Sequence, residues 1–387
     1  MLIGIVGKPS SGKSTFFKAA TLVDVAISPR PFTTIKPNRG IAYVRAKCPC
    51  AELKVTCNPK HGSCKAGTRY VPVELLDVAG LVPGAHEGRG LGNQFLTDLA
   101  RADCLIHVVD VSGTTDAEGN LTRGHDPAGD VRFLSEEIDW WFEGILQKHW
   151  KVVERRLKME KAIDVFSDIL SGLNIGRDRV ARVLQNFSPK EDSLLEFAKI
   201  LRKESKPIII AANKIDLPDS EGNFEKLKKE FPEIPIVPVF SEGELALRQA
   251  AARGLIDYSP GAGKFSIIGK LAPEQERALG VIGKKIEKYA STGVEETIET
   301  AAFKLLGKIV VYPVENEGKY SDKAGNILPD AVLLPDGSTP PELAGAIHTD
   351  LAKNFISAVN ARTKMRISAE TRLKSGDIVK IVSGRGA

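Results

Sequence analysis

The sequence has no long apolar run: nothing in its 387 residues approaches the roughly 18 needed to cross a membrane as a helix. A membrane-spanning protein is thereby unexpected. Six apolar residues open the chain, but Gly7 to Ser14 interrupts them and no secretory pattern follows, so a cytoplasmic protein without a membrane partner is expected. There are only five cysteines in this length, too few for a disulfide scaffold. Long-period repeats and low-complexity tracts are also missing, which excludes a solenoid. Charge of one sign is barely in excess: net +5, pI about 8.8, a balance that tolerates an anionic partner without requiring one.

What is present is 42% hydrophobic and 27% charged, the composition of a globular protein long enough for two or three domains. Apolar runs rich in Ile and Val recur: LIGIV (2–6), YVPVELLDV (70–78), CLIHVVDV (104–111), PIIIAAN (207–213) and PIVPVF (235–240). Continuous runs of this kind suit strands of a parallel sheet buried on both faces. The predicted class is α/β, an open sheet with ligands at the carboxyl ends of its strands. Residues 1–111 and 205–240 read as its core. Residues 112–204 form a charged, helical insertion, exemplified by WWFEGILQKHWKVVERRLKMEKAIDVF. Residues 241–302 read as a largely helical connector with a Pro/Gly-rich break at SPGAGK (259–264). Residues 303–387 read as a small strand–helix–strand domain, with a helix near Pro341 to Phe355.

The stretch GKPSSGKST (7–15) fits GxxxxGK[ST] between a predicted strand and a predicted helix. Gly7 and Gly12 let the backbone wrap a phosphate, and the amides of Lys8, Pro9, Ser10, Ser11 and Thr15's turn belong to that cradle, proline excepted as a donor. Lys13 reaches the terminal phosphates and the Ser14 hydroxyl binds Mg²⁺. The sequence GAGK (261–264) lacks the spacer and the preceding strand and reads as a linker. Asp77 and Gly80 end a strand with DxxG, where a carboxylate holds Mg²⁺ and an amide meets the γ-phosphate. Thr34 in PFTTI lies where a switch threonine belongs, with Thr33 its competitor. Asn213, Lys214 and Asp216 match NKxD. Guanine presents N1–H and N2–H₂ side by side to a carboxylate, whereas adenine would leave Asp216 unpaired. Ser241, after the strand 235–240, is a candidate to complete the base pocket. The expected ligands are therefore GTP or GDP with Mg²⁺, with Lys13, Thr34 and Gly80 acting on the phosphates. Leu81 occupies the position where many GTPases orient water with glutamine, so slow turnover is expected. His86 and Arg89 are the nearby side chains able to act on water or charge.

These residues, with SPRPFTTIKPNRG and DVAGLVPGAHEGRGLGNQFL, resemble the Obg-related GTPases, most closely the YchF (Obg-like ATPase) branch in an archaeal-type form. The segment LPDGSTPPELAGAIHTDLAKNFISAVNARTK resembles a TGS domain, a β-grasp module of translation-linked proteins. The resemblance covers nearly the whole chain. It implies a P-loop NTPase with a Ras-like G domain, a helical insertion and a C-terminal β-grasp (TGS) domain, and association with the ribosome or ribosomal RNA. Motif by motif it makes Thr34 the switch-I threonine, Asp77 and Gly80 the switch-II pair, and Asn213 to Asp216 the base loop. The YchF branch typically lacks the Lys and Asp of NKxD and accepts ATP; both residues are present here. Ser10 stands where many relatives carry the Asn that some use to hold an activating K⁺. A monomer is expected, with ATP hydrolysis of the YchF type as the alternative activity.

Two features lie outside that frame. Residues 303–387 carry 12 Lys/Arg against 9 Asp/Glu, with Arg362, Lys364 and Arg366 close together, either a solvated face or a phosphate contact. Cys48, Cys50, Cys57 and Cys64 lie within CPCAELKVTCNPKHGSC. Zinc, with His61 able to replace one thiol, two disulfides of the kind found in hyperthermophiles, and free thiols are all open.

Overall fold

A computed structural model describes residues 1–21, 39–78 and 98–384. In chain order the strands are β1 (Leu2–Val6), β2 (Arg39–Lys47), β3 (Ser63–Lys65), β4 (Thr68–Asp77), β5 (Cys104–Asp110), β6 (Ile208–Asn213), β7 (Ile236–Val239), β8 (Ile256–Asp257), β9 (Ser266–Ile267), β10 (Lys308–Val314), β11 (Val332–Pro335), β12 (Phe355–Asn360), β13 (Arg366–Ile367) and β14 (Ile378–Ser383). The described residues divide into two compact units, one of 1–21, 39–40, 74–78 and 98–301, the other of 41–73 and 302–384.

In the first unit the end of β4 pairs with β1, β1 with β5, β5 with β6 and β6 with β7, all parallel. Every residue of β5 and β6 is buried, as continuous apolar strands require when both faces are covered. One face meets the helical insertion, built from the helices Pro127–Arg156, Ala162–Leu170, Arg177–Asn186 and Leu194–Ser205. Asp126 caps the first of these through the Ala128 amide, with proline at the first helical position, where its missing N–H costs nothing. Phe142, Leu146, Phe166 and Phe197 close over Val6, Leu76 and Leu105 in one core. A second core joins Val109, Ile210 and Ala212 to Phe224 and Leu227.

In the second unit β10 pairs with β11 antiparallel and with β14 parallel, and β12 lies between β14 and β13. The helix expected near 341–355 is two helices, Pro340–Ile347 and Thr349–Lys353, and Phe355 already belongs to β12. His348 separates them, its Nδ1 accepting from the Asp350 amide at 3.2 Å. The expected strands KIVVYPV, AVLLPDG and DIVKIVS are β10, β11 and β14, and β12 and β13, which were not expected, complete a five-stranded sheet. β2 was also not apparent from apolar runs, because its burial alternates residue by residue. Residues 41–73, which read as core of the nucleotide-binding region, pack here with the C-terminal segment. Asn58 and Lys60 donate backbone N–H bonds to Ile327 and Pro329 carbonyls at 3.1 and 2.8 Å, and buried Arg69 donates to the Leu328 carbonyl.

Candidate functional site

The loop from Gly7 to Gly12 connects β1 to the helix Lys13–Thr21, so the amides at that helix start face one anion site. Two glycines are sterically required. A Cβ on Gly7 would lie 2.6 Å from the Val108 carbonyl oxygen, and one on Gly12 would lie 2.2 Å from Asn213 Nδ2. Lys13 Nζ donates to Asp77 Oδ1 at 2.5 Å, bringing together the two groups expected at the phosphate end. Ser14 is exposed in the first helical turn, and the Ser11 hydroxyl is buried without a hydrogen-bond partner. A preformed cradle, a lysine and carboxylate converging beside it, an exposed hydroxyl and an orphaned buried hydroxyl fit a phosphate and its hard cation.

The base loop is joined to this cradle through Asn213. Its Nδ2 donates to the Ser11 carbonyl at 3.0 Å, while Ser241 donates to its Oδ1 at 2.8 Å. Lys214 adopts a left-handed conformation, φ 62°, and its Nζ donates to Asp110 Oδ2 at 2.8 Å. Burial opposes the Asp110 charge, but bonds from Lys214, Ser112 and Thr115 outweigh it and hold the carboxyl below the usual range. The opposite holds at Asp216, where burial raises the pKa and the Glu242 charge adds to the shift. A carboxylate so placed gains from a paired donor such as the guanine edge.

Several neighbours were not read from the sequence. The buried Lys8 ammonium donates to the Thr115 carbonyl at 2.7 Å and pairs with Asp130 Oδ2 at 2.8 Å. Its side chain is thus engaged by the insertion, leaving its amide for the cradle. His125 shares the other Asp130 oxygen at 2.9 Å. His107 is buried, and burial followed by the Lys8 charge lowers its pKa to about 3. Behind Ser241, Arg248 donates to Glu244 at 2.7 Å and to the Ala20 carbonyl at 3.2 Å, bracing the helix that starts at Lys13. Single residues such as Asp110 and Asp130 carry no motif, and only the fold brings them here.

Thr33, Thr34, Gly80, Leu81, His86 and Arg89 lie outside the described residues. In the basic cluster, Arg362 bonds Glu52 and the Gly376 carbonyl, and Lys364 sits 4.4 Å from the Tyr320 ring centre. Much of that charge is therefore used internally. The sulfurs of Cys48, Cys50, Cys57 and Cys64 all lie within 4.8 Å of one another, with no disulfide among them. No helix among the described residues is long and apolar enough to cross a membrane.

Fold and site together define a P-loop GTPase. Residues 2–128 match the family described as 50S ribosome-binding GTPase, 211–316 the Obg-like GTPase YGR210-like, G4 motif-containing domain, and 324–383 the TGS domain. An uncharacterized GTP-binding protein of Methanocaldococcus jannaschii is 51% identical over 390 residues, covering 99% of both chains. The ribosome-binding ATPase YchF of Bacillus subtilis is 28% identical, covering 92% of this chain and 87% of its own. The crystal structure of a GTP-binding protein from Pyrococcus horikoshii superposes with a TM-score of 0.80 at 39% identity, over 99% of this chain and all of that one. The chain belongs to the Obg/YchF-like family of GTP-binding proteins.

Proposed function

We propose that this GTPase binds Mg²⁺·GTP in preference to ATP, hydrolyses it slowly to GDP and phosphate, and acts as a monomeric, cytoplasmic switch on the ribosome or ribosomal RNA. The observation that carries the base choice is the half-buried Asp216, destabilised as an anion, in a loop tied to the P-loop by Asn213. Asn213 holds the base loop and cradle at a fixed separation, so that one nucleotide fits both. Lys13 leaves Asp77 for the terminal phosphate, freeing the carboxylate. Ser14, Asp77 and, by its sequence position, Thr34 would hold Mg²⁺, which would supply positive charge to offset that of the phosphates. Backbone N–H groups of the cradle orient the phosphates, and Gly80 would add one more. Leu81 offers no hydrogen bond to water, in keeping with slow intrinsic turnover. Ribosome association is supported by the description of the matched GTPase family and the name of the Bacillus subtilis relative.

Sedimentation with ribosomes in GTP-analogue and GDP states tests the switch. The expected result is state-dependent binding that weakens steeply with salt, and a steady GTPase rate abolished in Lys13→Ala. Equal sedimentation in both states, or turnover unaffected in that variant, would contradict it.

A further inference from the structure

Cys48 and Cys50 are buried and Cys57 and Cys64 half-buried, in a segment of only seventeen residues by sequence. The Cys50 and Cys64 sulfurs are 3.7 Å apart and those of Cys48 and Cys57 are 3.9 Å apart. Four ligands at a Zn–S distance of about 2.3 Å define a tetrahedron with an edge of about 3.8 Å. A disulfide brings sulfurs to about 2.05 Å, so the arrangement is that of ligands around a common centre. The backbone is shaped to deliver it. The Cys48 amide donates to the Gly67 carbonyl at 2.8 Å, and the Val55 amide to the Cys50 carbonyl at 3.1 Å. Lys54 and Gly62 take left-handed turns, and a Cβ on Gly62 would lie 2.0 Å from the Tyr70 carbonyl oxygen. His61 is not part of the cluster, whose four members are the sulfurs of Cys48, Cys50, Cys57 and Cys64, and its Nδ1 is hydrogen-bonded to Asp330 at 2.7 Å.

We propose that Cys48, Cys50, Cys57 and Cys64 form a tetrahedral tetrathiolate site for one structural Zn²⁺, which shapes the loop 57–64 that receives residues 322–330. Binding forms four Zn–S bonds and releases to solvent the protons that the four thiols carry. Four soft sulfurs in a closed tetrahedron favour zinc over hard cations and leave no open position for catalysis. The loop between Cys57 and Cys64 is the part that touches the C-terminal segment. Asn58 exchanges bonds with Ile327, donating its N–H to the carbonyl at 3.1 Å and accepting the Ile327 amide on its Oδ1 at 2.5 Å. Lys60 pairs with Asp322 at 2.5 Å and donates its amide to the Pro329 carbonyl at 2.8 Å. Fixing both ends of that loop with a metal fixes the hydrogen-bonding edge between them. The inference stands apart from the nucleotide reading, since no residue is shared.

The full chain, purified without chelators or added metal, is assayed by elemental analysis. One equivalent of zinc is expected, falling below about a tenth of an equivalent in Cys57→Ser and in Cys50→Ser. Removing the metal from the native chain and titrating Co²⁺ keeps the test independent of variant folding. Saturation at one equivalent with the visible absorption of tetrahedral thiolate-bound Co²⁺ is expected, reversed by Zn²⁺. Hydrogen exchange at the amides of Asn58, Lys60 and Ile327 should then accelerate at least tenfold in the metal-free chain and recover on zinc addition. Iron in place of zinc, disulfides in the protein as isolated, or a metal-free chain that gives no thiolate–Co²⁺ spectrum would each overturn the proposal. Exchange unchanged on metal removal would overturn the role in holding 322–330.

Discussion

Burial raises the pKa of Asp216 and Glu242 adds to it, while guanine recognition requires the ionised form to accept two N–H bonds. Protonation removes an acceptor, so GTP affinity should fall as pH is lowered, beginning above the range of an ordinary aspartate near 4. Calorimetric titration across pH 5–8 checks this, and the dependence should vanish in Asp216→Ala, which should itself bind about 10- to 100-fold more weakly by loss of charge-assisted bonds. His107 makes the opposite case. Its folded pKa of about 3 lies below the ordinary value, so between these values the unfolded chain binds a proton that the folded chain does not. Stability is therefore present at neutral pH and lost as pH falls below about 6.5. Chemical denaturation should show a His107-dependent loss of about 2 kcal/mol between pH 7 and 5. In His107→Gln that component of the pH dependence should disappear, whatever the variant's absolute stability.

The helical insertion covers one face of the sheet and supplies Asp130 to Lys8, in the loop before the helix that starts at Lys13. Phe142, fully buried and 5.2 Å from Trp141 in an edge-on ring contact, is central to that cover. Phe142→Ala should cost about 3–5 kcal/mol in urea unfolding, without changing the ratio of GTP to ATP affinity at temperatures where the variant is folded. A change in that ratio would mean that the insertion takes part in base selection. The elements differ in how legible they were in the sequence. LIGIV, CLIHVVD and IIIAAN announced β1, β5 and β6 because two-sided burial needs unbroken apolar runs. RGIAYVRAK did not announce β2, since a half-buried strand shows only alternation, broken by arginine. The split at His348 escaped because the flanking helices share one continuous helical pattern. In the site, the P-loop and NKxD residues were legible because phosphate and guanine demand particular groups at fixed spacing. Asp110, Asp130 and His107 were not, because their roles depend on partners about a hundred or more residues away in the chain, Lys214 for the first and Lys8 for the other two.

For the molecule as a whole, the proposed function requires coupling of nucleotide state to a large anionic partner. Net charge is modest, and Arg362 and Lys364 are partly consumed by internal contacts, so ribosome binding should rest on few phosphate contacts. The slope of log affinity against log salt should then correspond to a handful of contacts, measurable by sedimentation at graded salt. Arg366, exposed on β13, is the member of the cluster whose alanine variant should reduce that slope by about one.

Base selection is tested most directly by competition binding of GTP, ATP and XTP to the native chain and to Asp216→Asn. Xanthine carries a carbonyl where guanine carries its 2-amino group, so an asparagine amide can donate there while accepting from N1–H. The native chain should bind GTP at least 100-fold more tightly than ATP or XTP, and Asp216→Asn should lose GTP affinity and prefer XTP. Preference of the native chain for ATP, or an Asp216→Asn variant that still selects GTP, would contradict the account.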